Sequence, residues 1–233
     1  MILLHQFGPV WAKTSPSPAC AKVETYLRMA GLEFKTVSTM DSRKAPKGKL
    51  PFITDEGQKI ADSTFIIEYL KEQYGDPLDI GLNDKDKAIS LAFQRMIEEN
   101  LYWCVIHARW QDAHNWPKLK KALFSRMPFP LRVIIPPVAR KMAIGALKGQ
   151  GMGRHSLAEV SQIAIRDIAA IATFLGDKAF IMGDKPSSLD ATVYAFISTM
   201  TGDPVQSEFK DFALKQKNLV DYCERMTATY YEK

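Results

Sequence analysis

The sequence predicts an α/β N-terminal domain of order βαβ-ββα over residues 1–76, followed by an all-α domain over residues 84–233. Three observations carry this. Short apolar runs bounded by Gly and Pro alternate with helical stretches over the first 76 residues. Past Asn83 the strand-like runs stop and a 3.6-residue period takes over. The chain of 233 residues is 46% hydrophobic and 24% charged with 13 Gly and 13 Pro, which fits a packed core and excludes disordered and fibrous classes.

Residues 2–7 are apolar and stop at Gly8-Pro9, as a buried strand does. A Ser/Thr/Pro loop over residues 14–18 leads into a helix whose Cys20, Val23, Leu27 and Ala30 share one face; Gly31 ends it. Residues 33–37 read as a second strand, and strand–helix–strand implies a parallel pair. Residues 50–54 and 58–61 flank Asp55-Glu56-Gly57, the turn of an antiparallel hairpin. Asp62-Ser63 opens a helix to about Tyr74. Asn83 caps a long helix to about Ala113, with Ile89, Phe93, Met96, Asn100, Cys104 and Ala108 on one side. Pro128, Pro130, Pro136 and Pro137 predict a broken or kinked helix after it. Ser156 with Glu159 and Ser187 with Asp190 are capping boxes before the helices that run to Leu175 and Met200; a last helix covers residues 218–230.

The formal net charge of +5 is unevenly spread. Between Asp112 and Glu159 there are nine Lys/Arg and no acid, so subtracting nine leaves −4 for the remainder. The charge therefore argues against a general nucleic-acid binder and marks one basic, Pro-rich segment, for which peripheral contact with an anionic membrane is a further option. Cys20, Cys104 and Cys223 are odd in number and far apart, which fits a reducing compartment. The start of the chain has neither a basic leader nor a cleavage pattern, so a cytoplasmic location is expected. No metal site is expected, since His107 and His114 lack Cys or acidic partners at metal spacing.

Three short pieces carry candidate chemistry. Ser17-Pro18-Ala19-Cys20 begins the first helix, where N–H groups converge and a nearby anion is favoured. Leu50-Pro51 precedes a strand, and a cis peptide there would aim a backbone N–H and C=O into one pocket. Asp62-Ser63 begins the next helix, where hydroxyl and N–H suit a carboxylate and Asp62 suits an ammonium. Each piece also reads as plain structure: Ser17 and Asp62 as helix caps, Cys20 as core. Arg43, Lys44, Lys47 and Lys49 could meet a carboxylate or form a solvated face. Tyr102, Trp103, His107 and Trp110 are dense enough for an apolar substrate pocket, though aromatic residues at such spacing are also common core.

These pieces together resemble the glutathione transferase superfamily, with a thioredoxin-like first domain and a helical second one. Asp62-Ser63-Thr64-Phe65-Ile66-Ile67-Glu68-Tyr69-Leu70 is similar to the family's glutathione-binding helix start, and residues 180–191 to its capping-box motif. Residues 17–32 and Gln150-Gly151-Met152-Gly153-Arg154-His155-Ser156 resemble the failed-axon-connections and metaxin branch. The resemblance implies glutathione as co-substrate, a small hydrophobic electrophile, a detoxifying conjugation or reduction, and a homodimer. A non-catalytic binding role is the alternative. Glutathione would contact Lys49, Leu50, Pro51, Asp62 and Ser63.

The resemblance puts Phe7 where tyrosine-type members carry their catalytic tyrosine, and Ser17 where cysteine-type members carry their nucleophile. Serine forms no mixed disulfide, so its role would be a hydrogen bond to the glutathione thiolate. Thr14 or Ser15 on the same loop is the alternative donor. A thiol with pKa about 8.5 is only a few per cent ionised at neutral pH, and lowering it by about two units takes roughly 2.7 kcal/mol. A hydrogen bond to a charged group supplies about 1.5–3 kcal/mol, and a helix N-terminus about 0.3–1 kcal/mol.

Overall fold

The computed structural model describes residues 1–11, 13–39, 42 and 45–232. Strand β1 (Ile2–Gln6), helix α1 (Pro18–Met29) and strand β2 (Phe34–Ser38) form a βαβ unit with the two strands parallel. Strands β3 (Phe52–Asp55) and β4 (Gln58–Ala61) form the antiparallel hairpin, and β3 pairs with β1, so the sheet order is β2-β1-β3-β4. Glu56 and Gly57 both have positive φ, 46° and 84°, as a tight hairpin turn requires. The second strand begins one residue later than its sequence suggests, because pairing with β1 sets Ile2 opposite Phe34. Helix α2 (Ser63–Tyr74) closes the N-terminal unit.

The long helix expected from Asn83 is present but not uniform. Helices α3 (Asp84–Met96) and α4 (Tyr102–Ile106) are joined by a π-turn at Ile97–Leu101, and a second π-turn at His107–Gln111 ends the run. The expected stripe holds at Cys104 and Ala108, with Phe93 and Met96 packed at the edge of the core, and is shifted between them. Ile97, Leu101, Cys104, Val105 and Ala108 are buried, whereas Ile89, Phe93 and Met96 are only half-buried. Each π-turn takes up an extra residue, which advances the inward face.

Helix α5 (Trp116–Phe124) and helix α6 (Leu131–Gln150) follow, separated by a turn with a cis Phe129–Pro130 peptide. The break falls in that turn, and Pro136 and Pro137 lie inside a continuous helix. A short 3-10 turn at Met152–Arg154 leads to α7 (Leu157–Leu175), whose capping box pairs Ser156 with Glu159. A Cβ on Gly153 would stand 2.8 Å from the Leu147 carbonyl carbon, so only glycine lets this turn lie on α6. Helices α8 (Ser188–Gly202), α9 (Glu208–Lys215) and α10 (Lys217–Tyr231) complete the chain. Helix α9 has no counterpart among the expected elements.

One core lies among the helices and another between the sheet, α1 and α2, and each borrows a residue from the other side. Ala21 of α1 belongs to the helical core, and Ala191 of α8 belongs to the N-terminal core. Asp190 beside it is fully buried. Its carboxylate accepts from the Ile181 and Ser187 N–H groups and the Ser187 hydroxyl at 2.8 Å, and from the Tyr222 hydroxyl at 3.0 Å. Burial raises its pKa, with these donors opposing. Asp190→Ala strands four donors and is expected to cost about 3–5 kcal/mol of unfolding free energy. Urea denaturation with an unchanged m value checks this; a loss below about 1 kcal/mol would contradict the hub role.

Candidate functional site

Strand pairing brings the three candidate pieces to one end of the sheet. His5 near the end of β1 lies opposite Phe52, and Phe52 lies opposite Ala61. Phe7, Pro51 and Asp62 therefore emerge side by side. Cys20, Ala45, Leu50, Phe52 and Ala61 form one buried cluster with Phe7 packed against it, which ties the start of α1 to the other two pieces. The Leu50–Pro51 peptide is cis.

Ser17 occupies the N-cap position of α1, but its side chain caps nothing. Its carbonyl accepts from Ala21 N–H at 2.9 Å, and its own N–H donates to the Ser15 hydroxyl at 3.3 Å. Thr14 and Ser15 are buried, at 2% and 1% exposure, while Ser17 is half-buried. Of the three hydroxyls, that of Ser17 is the one open to an incoming group. The Cys20 thiol lies fully buried, near the Ser17 and Ser15 hydroxyls and the Phe7 backbone. Burial pushes its pKa up to about 11, so at neutral pH it is a protonated core thiol.

At the second helix start, Asp62 has φ 83° and its side chain accepts from Thr64 N–H at 3.0 Å. A buried network holds this turn. Lys22 of α1 donates to Glu98 at 2.5 Å and to the Thr64 hydroxyl at 3.4 Å, and Gln94 donates to Thr64 at 3.2 Å and Glu98 at 3.0 Å. Burial pulls the Lys22 pKa down, with Glu98 and Asp62 acting against it. Asp62 is exposed and Ser63 half-buried, so both are accessible. Lys49 is exposed; Lys47 sits over the Phe65 ring at 4.3 Å. Arg43 and Lys44 lie outside the described residues.

The four aromatic and histidine candidates are not all alike. Tyr102 packs edge-on against Trp103 and Phe196, and Cys20 and Arg109 lie near enough to perturb its ionisation, which sets it beside the start of α1. Trp110 packs at a tilt against Trp116 and edge-on against Phe124, bracing α5. His107 is 2% exposed. Neither ring nitrogen closes a well-formed hydrogen bond among the described residues, and burial lowers its pKa despite a weak backbone interaction at His155.

Sequence reasoning missed Arg109. Its guanidinium is buried, donating to Asp203 at 2.7 Å, to the Thr199 carbonyl at 2.9 Å and to the Pro16 carbonyl at 3.0 Å. The last bond ties the loop before Ser17 to the helical unit. A lone arginine in an aromatic-rich helix gives no local sign of a partner 93 residues away.

A family description for the glutathione S-transferase N-terminal domain matches residues 18–115, and one for the C-terminal domain matches residues 164–226. The chain is 39% identical to the isoprene-epoxide–glutathione S-transferase of Rhodococcus sp. (strain AD45), over 99% of each. It is 32% identical to Failed axon connections of Drosophila melanogaster, with 97% of this chain matched to 57% of that longer protein. The fold is shared with a beta-etherase from Sphingobium sp. strain SYK-6, at a TM-score of 0.69 and 19% identity over 99% of this chain and 97% of the other. The chain belongs to the glutathione S-transferase superfamily, and it is also similar to Metaxin-3 of Xenopus laevis, at 28% identity over 99% of this chain and 77% of that protein.

Two outcomes follow from the buried groups. Arg109→Ala leaves the Asp203 carboxylate buried without its main partner and frees the Pro16 carbonyl; we expect a loss of about 3–5 kcal/mol in chemical denaturation. The lowered pKa of His107 makes the unfolded chain bind the proton first as pH falls. Stability should therefore decline on acidification below the ordinary imidazole pKa of about 6.5, as the unfolded chain takes up the proton and the folded one does not. Melting temperatures of wild type and His107→Gln across that range test it: equal slopes would show that His107 is not responsible.

Proposed function

We propose that the protein is a glutathione transferase that conjugates glutathione to a small hydrophobic electrophile, or reduces the electrophile with it, and that an epoxide is the first class to test. The observation that carries this is the meeting, at one end of the sheet, of the half-exposed Ser17 hydroxyl, the cis Leu50–Pro51 peptide and the accessible Asp62-Ser63 turn. The 39% identity to a transferase named for an epoxide substrate supports the choice of electrophile. Cytoplasmic location and a homodimer belong to the same reading.

These residues fit the tripeptide. Ser17 offers a donor that no cap consumes. Ser63, first in α2, offers its N–H and hydroxyl to a carboxylate, and Asp62 keeps an exposed carboxylate for an ammonium. The cis Leu50–Pro51 peptide would pair with an extended peptide, and Lys49 stands exposed beside it. Glutathione supplies the thiol nucleophile. The chain's part is to hold a thiolate on the Ser17 hydroxyl near the first turn of α1, to orient the peptide at Leu50–Pro51, and to present the Tyr102 side of the helical unit to the electrophile. Phe7 offers no hydroxyl for this task.

Failed axon connections is the relative that favours a second reading, a binding protein on the same fold without turnover. Calorimetric titration with glutathione, paired with an epoxide-conjugation assay, separates the two. Ser17→Ala should lower kcat/KM about 10- to 100-fold, the loss of a hydrogen bond to a charged sulfur, with a smaller change in glutathione affinity. Absence of binding heat at millimolar glutathione would falsify the transferase reading. Binding without turnover, unaltered in Ser17→Ala, would favour the second.

A further inference from the structure

The segment between Asp112 and Glu159 takes no part in the site above, and its surface is unusual. Leu131, Ile134, Ile135, Val138 and Met142 recur at i, i+3, i+4, i+7 and i+11 along α6 and all are exposed, Met142 to 70%. Phe129, in the turn just before the helix, is 74% exposed. The opposite side of α6 is held down. Pro136 and Leu147 are buried, and Arg140 donates to the Trp110 carbonyl at 2.9 Å and stacks on Trp116. From Pro136 onward these contacts hold the helix with the apolar stripe facing outward.

Cations border the stripe. Lys141 and Lys148 lie along one flank, Arg132 along the other and Arg126 before the turn; all four are exposed. Among the described residues none of them forms an ion pair, and the segment holds no acid that could pair locally. We propose that the outward face of α6, with the Phe129 turn, docks on an anionic lipid bilayer. An apolar stripe with cations on both edges suits the boundary between acyl chains and acidic headgroups. A second copy of the same face is the poorer occupant, because it would set two acid-free cationic segments against each other. No helix among the described residues is long and apolar enough to cross a membrane, so the contact lies in the plane of the surface.

Co-sedimentation of the full chain with vesicles tests this. Vesicles of equal parts phosphatidylcholine and phosphatidylserine should bind it about tenfold more tightly than phosphatidylcholine alone. Binding should fall in about 1 M salt, where the Debye length is about 3 Å. Ile134→Asp with Met142→Asp, and separately Lys141→Glu with Lys148→Glu, should each abolish the preference while circular dichroism stays native. Failure of the wild type to bind acidic vesicles, or binding by either double variant as tight as that of the wild type, overturns the proposal. A concentration-dependent dimer in sedimentation equilibrium that Ile134→Asp disperses, without vesicle binding, overturns it in favour of self-association.

Discussion

Helix α1 is buried from Cys20 to Leu27 without a gap, and the rest of the molecule is arranged around that fact. An ordinary amphipathic helix buries one face. This one lies between the sheet and α8, so its polar side must be satisfied by protein. Lys22 meets Glu98, Glu24 meets Gln6 at 2.6 Å and Arg28 at 2.9 Å, and the Thr25 hydroxyl meets Tyr231 at 2.7 Å. An unpaired charge in such a place costs several kcal/mol, so these partners, drawn from both ends of the chain, are held as firmly as the apolar packing.

The geometry of the candidate site follows. Ser17 stands at the head of α1, and the loop before it is pinned through Pro16 to Arg109 in the helical unit. Asp62 and Ser63 stand at the head of α2, and Thr64 beside them is tied to α1 by Lys22 and to the helical unit by Gln94. Neither helix start is set by the N-terminal unit alone. The superfamily's division into two units thus hides a shared foundation, in which long polar side chains of the helical unit fix backbone groups on which a small peptide would rest.

What could be read locally was read well, and what depends on distant partners was not. The hairpin turn, both capping boxes and the helix from Ser63 to Tyr74 are written within a few consecutive residues. The stripe of the long helix was legible at Cys104 and Ala108, and at Phe93 and Met96 which pack against the core; the burial of Ile97 and Leu101 was not, since it follows a π-turn that leaves no mark in residue type. The Cys20 face of α1 was legible as core; the burial of Lys22 and Glu24 was not, since charged residues look solvent-facing until their partners are known. In the site, the positions of Ser17, Pro51 and Asp62 were legible from their helix and strand starts. That Thr14 and Ser15 are buried while Ser17 is half-exposed was not legible, because a Ser/Thr/Pro loop does not encode which hydroxyl faces outward.

The trade of alanines between the cores has one more consequence. Ala21 and Ala191 are each too small to contribute much area, yet each is counted in the other unit's interior. At such a crossing point the backbones of α1 and α8 approach closely, and growth of either side chain would push the two units apart. Sequence drift at this seam is thereby limited to residues of methyl size. The boundary near residue 80 separates architectures, not autonomous pieces: cut there, the first fragment would carry Lys22 and Glu24 into water along with a face shaped for a helix it no longer has.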